Sequence, residues 1–398
     1  MRSVVLAAGC LFLASGVFAQ VTAGAMPVTP GYYTNSNDAI SAYTYVNLGH
    51  PATANGTLTT AAVRWTNATC SNAYRLKFLR LSNGQANYTV IADRGPFNIA
   101  TGINVVTLSP SAAVQKGDLI AITQLAPLNP CGGFFLSETT ARAASMRFNG
   151  EIPSSGTMNG SVIPGTIPHV RASSDTNILE AVLPAAGSLA GGFGSFFRTA
   201  VQVFNWDQKP MTGKFVFHQA GRAASASDPS LAYTLAGFEV KKYDDIVDAM
   251  GQSGLGTLDL VSTSGGRPQV VTRVFNDTPG GTAGFNEELL SKDEAVNQFA
   301  PVAILMPADV SNFRMNIGIR TFEAGATISI SAPGVSSLTK VYVANYFEQK
   351  GLQDFLNGVA PTANGLLSIQ IQSGSAIIYA STTDNRTNDS SIWFARRE

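Results

Sequence analysis

The three histidines, His50, His169 and His218, are the side chains best suited to proton transfer or metal binding, and they lie far apart. None has a second His or a Cys at ligand spacing, and there is no HExxH, no CxxC pair and no sustained acidic Ca²⁺ loop. A histidine zinc site would have to gather three distant segments. The expectation is therefore satisfied surface or strand-end histidines, with no metal and no cofactor. No Gly-x-Ser-x-Gly elbow stands between a strand and a helix; Gly192-Phe-Gly-Ser-Phe196 and Gly251-Gln-Ser-Gly254 read as turn chemistry. A Ser-His-Asp triad is set by geometry rather than chain order, so the sequence leaves it open. Glycoside hydrolysis needs two carboxylates facing one cleft. Glu138, Glu151, Asp175 and Glu180 are candidates, but nothing in their context separates them from exposed loop carboxylates.

Binding chemistry has more support. Flat rings stack on sugar faces, and Tyr32, Tyr33, Tyr43, Tyr45 and Trp65 concentrate in the first part of the chain. Trp65 alternates with Val63, which favours burial. Phe197-Arg198 recurs as Phe313-Arg314, an Arg on a ligand-binding face or one that pairs across strands. Asp277 and Asp384 read as strand-end residues that accept backbone N–H bonds. Asp384, Asn385 and Asp389 with nearby carbonyls also offer oxygens to Ca²⁺. Cys70 and Cys131 read as one disulfide in an exported protein, the alternative being two free thiols.

The elements that must carry these residues repeat. Phe197-Arg198-Thr-Ala-Val201-Gln-Val203 returns as Phe313-Arg314-Met-Asn-Ile317-Gly-Ile319. Asp245-Ile-Val, followed by Gly256-Thr-Leu258-Asp-Leu260, returns as Asp354-Phe-Leu, followed by Gly365-Leu-Leu367-Ser-Ile369. Val270-Val271 leading to Asp277 returns as Ile377-Ile378 leading to Asp384. Three blocks in one order predict two copies of one unit, each with about seven strands. Residues 243–250 and 352–358 break the strand pattern at matched places and predict one or two helical turns. Residues 219–230 form a polar insertion that the second copy lacks. Residues 286–299 read as a short helix or linker. Earlier, Leu58-Thr-Thr-Ala-Ala-Val63-Arg-Trp65 and Tyr74-Arg-Leu76-Lys-Phe78 show period-two alternation between turn residues. That pattern predicts an antiparallel sandwich or barrel.

Residues 1–19 read as a secretory signal peptide, with Arg2, an apolar run and a Val17-Phe-Ala19 cleavage pattern. A lipoprotein reading of Cys10 fits less well, because the apolar run continues past it. The rest divides into 20–175, 176–300 and 301–398. Lys+Arg and Asp+Glu are equal at 26 each, so no basic footprint for a nucleic acid exists. No later stretch has the length and apolarity of a membrane span.

Over residues 180–398 these motifs resemble a tandem immunoglobulin-like unit of large bacterial secreted proteins, best known from Acidobacteria-like genomes and mostly of unassigned function. The closing Tyr379-Ala-Ser-Thr-Thr-Asp384-Asn-Arg386 adds to the match. The first part resembles jelly-roll-like modules. The resemblance implies an all-β chain, a jelly-roll-like sandwich followed by two Ig-like sandwiches, and brings no catalytic residues. The expected function is a secreted or cell-surface structural or adhesive protein, not an enzyme, meeting extracellular protein or glycan surfaces. A carbohydrate-binding protein is the alternative, with Tyr32, Tyr33, Tyr43 and Trp65 as its platform. A secreted hydrolase is third.

Overall fold

The computed structural model describes residues 20–26, 32–33, 43–66, 69–125, 131–138, 144–264, 266–278, 281–298 and 301–395. The signal-peptide reading of 1–19 lies outside them. The described chain is all-β and antiparallel, with only short helical turns. No helix among the described residues is long and apolar enough to cross a membrane.

The first unit stacks two main sheets. One runs β1 (Thr22–Ala25), β14 (Val170–Ser173), β4 (Gly56–Trp65), β7 (Gly102–Val114). The facing one is built around β6 (Asn87–Ile99), β5 (Cys70–Ser82), β8 (Leu119–Gln124) and β3 (Tyr43–Asn47). Strand alternation turns Leu58, Ala61, Val63 and Val170 from one sheet onto Tyr74, Leu76, Phe78 and Ile122 from the other. Cys70 and Cys131 are joined as a disulfide.

The second unit packs β19 (Ser230–Leu235), β17 (Met211–Gln219), β21 (Gly254–Ser262) and β15 (Ile178–Ala190) against β20 (Val240–Tyr243), β16 (Phe196–Phe204), β22 (Gln269–Thr278) and β23 (Gly281–Glu287). The third unit repeats this pairing with fewer, longer strands. β25 (Phe313–Ala332) does the work of β16 and β17, and β28 (Leu366–Asp384) that of β21 and β22. β24 (Val302–Leu305), β26 (Val335–Tyr342), β27 (Tyr346–Gly351) and β29 (Ser390–Phe394) stand for β15, β19, β20 and β23. Among the described residues the expected seven strands per copy thus become eight, plus the two-residue Arg222–Ala223 strand, and six. Fusion of two strands into one needs a sharp bend, supplied by Gly325 (φ +63°) and Gly374 (φ +75°). A Cβ on Gly374 would collide with the Gly325 carbonyl, so the two backbones cross the corner in contact. The anticipated helical turns are Ile246–Ala249 and Leu352–Phe355.

The register corrects the sequence match in one place. Phe197 lies opposite Asn276, whereas Phe313 lies opposite Asp384. Asn276, not Asp277, therefore holds the place of Asp384. Val270 likewise corresponds to Ile378, and both point into their cores. A one-residue slip exchanges the faces of a strand, so burial rather than residue identity decides the match.

Of residues 286–299, the described part, 286–298, is neither a helix nor a linker throughout. β23 extends to Glu287, Leu290 forms a bridge with Val182, and Lys292–Glu294 is a single 3₁₀ turn with a Ser291/Glu294 capping box. The 219–230 insertion is not a solvated loop of its own unit. Its strand β18 (Arg222–Ala223) pairs with β27 of the third unit. Gly221 N–H donates to Phe347 O and Ala224 N–H to Asn345 O, both at 2.8 Å.

Candidate functional site

Several buried charged residues gather where the units meet, while Lys77, Asp118 and Glu348 are paired inside single units. In β17, alternation sends Met211, Gly213, Phe215 and Phe217 into the sandwich, so His218 projects from the outer face. In β21, Leu258 and Leu260 point inward and Asp259 outward. Val216 pairs with Asp259 and His218 with Thr257, which makes His218 and Asp259 diagonal neighbours on one face. His218 Nε2 donates to Asp259 Oδ2 at 2.9 Å, and Nδ1 donates to Asp228 Oδ2 at 2.5 Å. Asp228 ends the insertion; it also accepts Ser225 N–H at 2.9 Å and pairs with Arg222 at 2.5 Å. From the third unit, Arg320 Nη2 donates to both Asp259 oxygens at 3.2 and 3.1 Å. Arg320 is 1% exposed.

Donation from both ring nitrogens requires an imidazolium. Burial opposes that charge, yet Asp259 and Asp228 outweigh it and hold the His218 pKa above its ordinary value. Burial likewise opposes ionisation of Asp259, but Arg320 and His218 bring its carboxyl below the usual range. A general base needs a free ring nitrogen within reach of a reacting group. His218 has neither nitrogen free, so the cluster is a clamp in its chemistry.

Apolar contacts surround the clamp. Val182, Leu290 and Ala295 of the second unit pack on Phe322 and Ile377 of the third. Ala185 packs with Phe347 and Tyr379. Glu287 is buried beside this seam and accepts Ala185 N–H at 2.7 Å. Burial pushes its carboxyl well above the ordinary range, which favours the protonated form. Glu287→Gln should therefore change stability by less than about 1 kcal/mol at pH 5, since a neutral acceptor replaces a neutral acceptor. At pH 9 the variant should be the more stable protein: a raised carboxyl pKa means native stability is lost as pH rises, and Gln escapes that loss. Urea unfolding at both pH values checks this.

The first junction is built alike. Glu180 sits at a β-bulge in β15, between Leu179 and Ala181, which re-aims it. Arg171 forks onto its two oxygens at 2.7 and 2.8 Å, and Ser262 Oγ donates to one of them. Arg64 pairs with Asp207 at 3.2 Å and lies 3.3 Å over the Trp206 ring.

The remaining sequence candidates disperse. His169 is fully buried; burial and then Arg64 push its pKa down to about 3, so it is neutral. His169 and His218 both lie at strand ends, one of the two expected placements, but as core and junction residues rather than surface ones. Glu151 pairs with Lys77 at 2.8 Å, and Asp175 caps its own turn at Asn177 N–H, 3.0 Å away. Glu138 contributes backbone to a strand opposite Thr166. Trp65 is fully buried, stacked on Tyr74, with Nε1 donating to Cys131 O at 2.7 Å. It presents no ring to a ligand. Tyr43 is half-buried, with the Arg147 guanidinium 5.1 Å from its ring centre, and Tyr45 is buried. Tyr32 and Tyr33 pair as backbone with Leu136 and Phe135, and their side chains lie outside the described residues. Arg198 pairs with Asp277, and Arg314 donates to Asn385 Oδ1 at 3.1 Å. After the register correction Asp277 and Asn385 hold one place, so both arginines tie down the same hairpin end. Asp384 Oδ1 accepts Arg386 N–H at 2.7 Å and Thr387 N–H at 3.2 Å, a turn rather than a cation cage. Among the described residues no His/Cys/Asp/Glu group is placed to hold a metal.

Sequence reasoning missed Asp228, Asp259 and Arg320. The one available signal was a charge inside an apolar alternation, as in Leu258-Asp259-Leu260 and Ile319-Arg320. Comparison with family models, with curated proteins and with solved structures returned no match.

Proposed function

We propose that this chain is a secreted, non-enzymatic structural or adhesive protein of the cell surface. In this reading a jelly-roll-like module is followed by two Ig-like modules of the tandem bacterial kind. The observation that carries it is where the charged chemistry goes: His218, Asp228, Asp259, Arg320, Arg171 and Glu180 are all spent on each other at module junctions. Such an arrangement stiffens a stack and leaves contact to edges and loops. The disulfide fits an oxidising compartment, where small modules gain from cross-links. A glycan array probed with the mature chain, with and without Ca²⁺, tests the reading. Flat binding in both conditions is expected. Selective binding to one sugar class would overturn it in favour of the carbohydrate-binding alternative.

A further inference from the structure

We propose that residues 219–229 form a proton-dependent latch, in which His218 locks the insertion of the second unit onto the β27 edge of the third. The latch has two attachment points. At one, Gly221 and Ala224 bond the β27 backbone at Phe347 and Asn345. At the other, Asp228 holds the end of the insertion against His218. Between them Arg222 folds back on Asp228, so the segment closes on itself over the junction.

The paired residues of β18 are exposed and bury no apolar side chain. Two strand residues alone cannot hold an edge, because each ordered residue costs roughly 1–2 kcal/mol of backbone entropy and a hydrogen bond returns about 1. The charged contacts to Asp228 must supply the rest. Of those contacts, the one to His218 depends on a proton, while those to Ser225 and Arg222 close the insertion on itself. The charged groups facing His218 are Asp228 from the insertion, Asp259 from β21 and Arg320 from β25, with Arg222 of β18 behind Asp228. Of these, only histidine ordinarily changes charge near neutral pH.

The sign follows from the direction of each shift. The His218 pKa is raised in the folded protein, so its contribution is complete below the ordinary value of 6.5 and is lost as pH rises through the higher folded value. Asp228 is shifted down, burial opposing and His218, Ser225 and Arg222 prevailing; its contribution is lost only in acid. The latch is therefore closed in mild acid and opens as pH rises through the raised folded value. Opening frees the backbone of Asn345 and Phe347, a strand edge able to take another strand.

Hydrogen exchange of the full chain, corrected for intrinsic rates, reads this directly at Gly221, Ala224 and β27. Protection should fall by about tenfold between pH 6 and pH 9, the order expected for losing one hydrogen bond to a charged group. His218→Gln should show the open-state exchange at both pH values. Asp228→Asn, which leaves Asp259 and Arg320 paired, should do the same and serves if His218→Gln fails to fold. Unchanged wild-type protection from pH 6 to 9 would overturn the proposal, as would an undiminished pH dependence in Asp228→Asn.

Discussion

Replacing Arg320 by alanine should cost about 3–5 kcal/mol, the range for removing one partner of a buried ion pair. Asp259 would keep its burial and its bond to His218 but lose the Nη2 donor that reaches both its oxygens. Arg320 also donates to Thr321 O at 2.5 Å and covers the Phe322 ring at 5.6 Å, so packing is lost with the charge. Arg320→Lys should recover little. A lysine brings a point charge, whereas the site uses a planar fork. The loss should appear in both repeat units at once, because Asp259 belongs to one and Arg320 to the other. Urea unfolding of the two variants checks the magnitude. A loss under about 1 kcal/mol for Arg320→Ala, the value of an exposed pair, would remove the clamp from the account.

Reducing the Cys70–Cys131 bond should cost about 4 kcal/mol in the first unit, by the chain-entropy relation for a loop of this length. The bond spans 61 residues of sequence. It anchors the segment whose Cys131 carbonyl accepts the buried Trp65 indole. Trp65 and Tyr74 fluorescence should therefore report the change at lower denaturant. Strands β25 and β28 touch neither cysteine, and their amides should keep their protection under the same conditions. Loss of protection at Ile317 and Ile378 on reduction would mean that the first junction transmits unfolding.

Particular elements explain what the sequence revealed. Leu58 to Trp65 is a strand facing a second sheet, as its pattern implied, but Ala61 to Trp65 are all buried and the register shifts between Leu58 and Thr60. Cys70 and Cys131 are joined, as the reading of one disulfide expected. The matched breaks near Asp245 and Leu352 are helical turns because each places two apolar side chains against its own core. The junctions were not legible, for a physical reason. Alternation marks His218 and Asp259 as outward-facing, and outward normally means solvent. Nothing local states that another unit covers that face. The four clamp residues come from positions 218, 228, 259 and 320, joined only by tertiary packing. Glu180 was hidden similarly: a bulge, invisible in a residue pattern, turns it toward Arg171. The misjudged Asp277 match had a different origin. Two Asp residues at similar offsets outweighed the burial periodicity that shows Val270 and Ile378 to be equivalent.

The central claim is that the two repeat units act as one clamped body rather than as independent beads. Native-state hydrogen exchange of the full chain across a urea series tests it most directly, following Val201 and Leu258 in one unit and Ile317 and Ile378 in the other. The account predicts that all four amides lose protection at one urea concentration with one slope, and that Arg320→Ala shifts them together. Separate midpoints for the two units in the unmodified chain would contradict it.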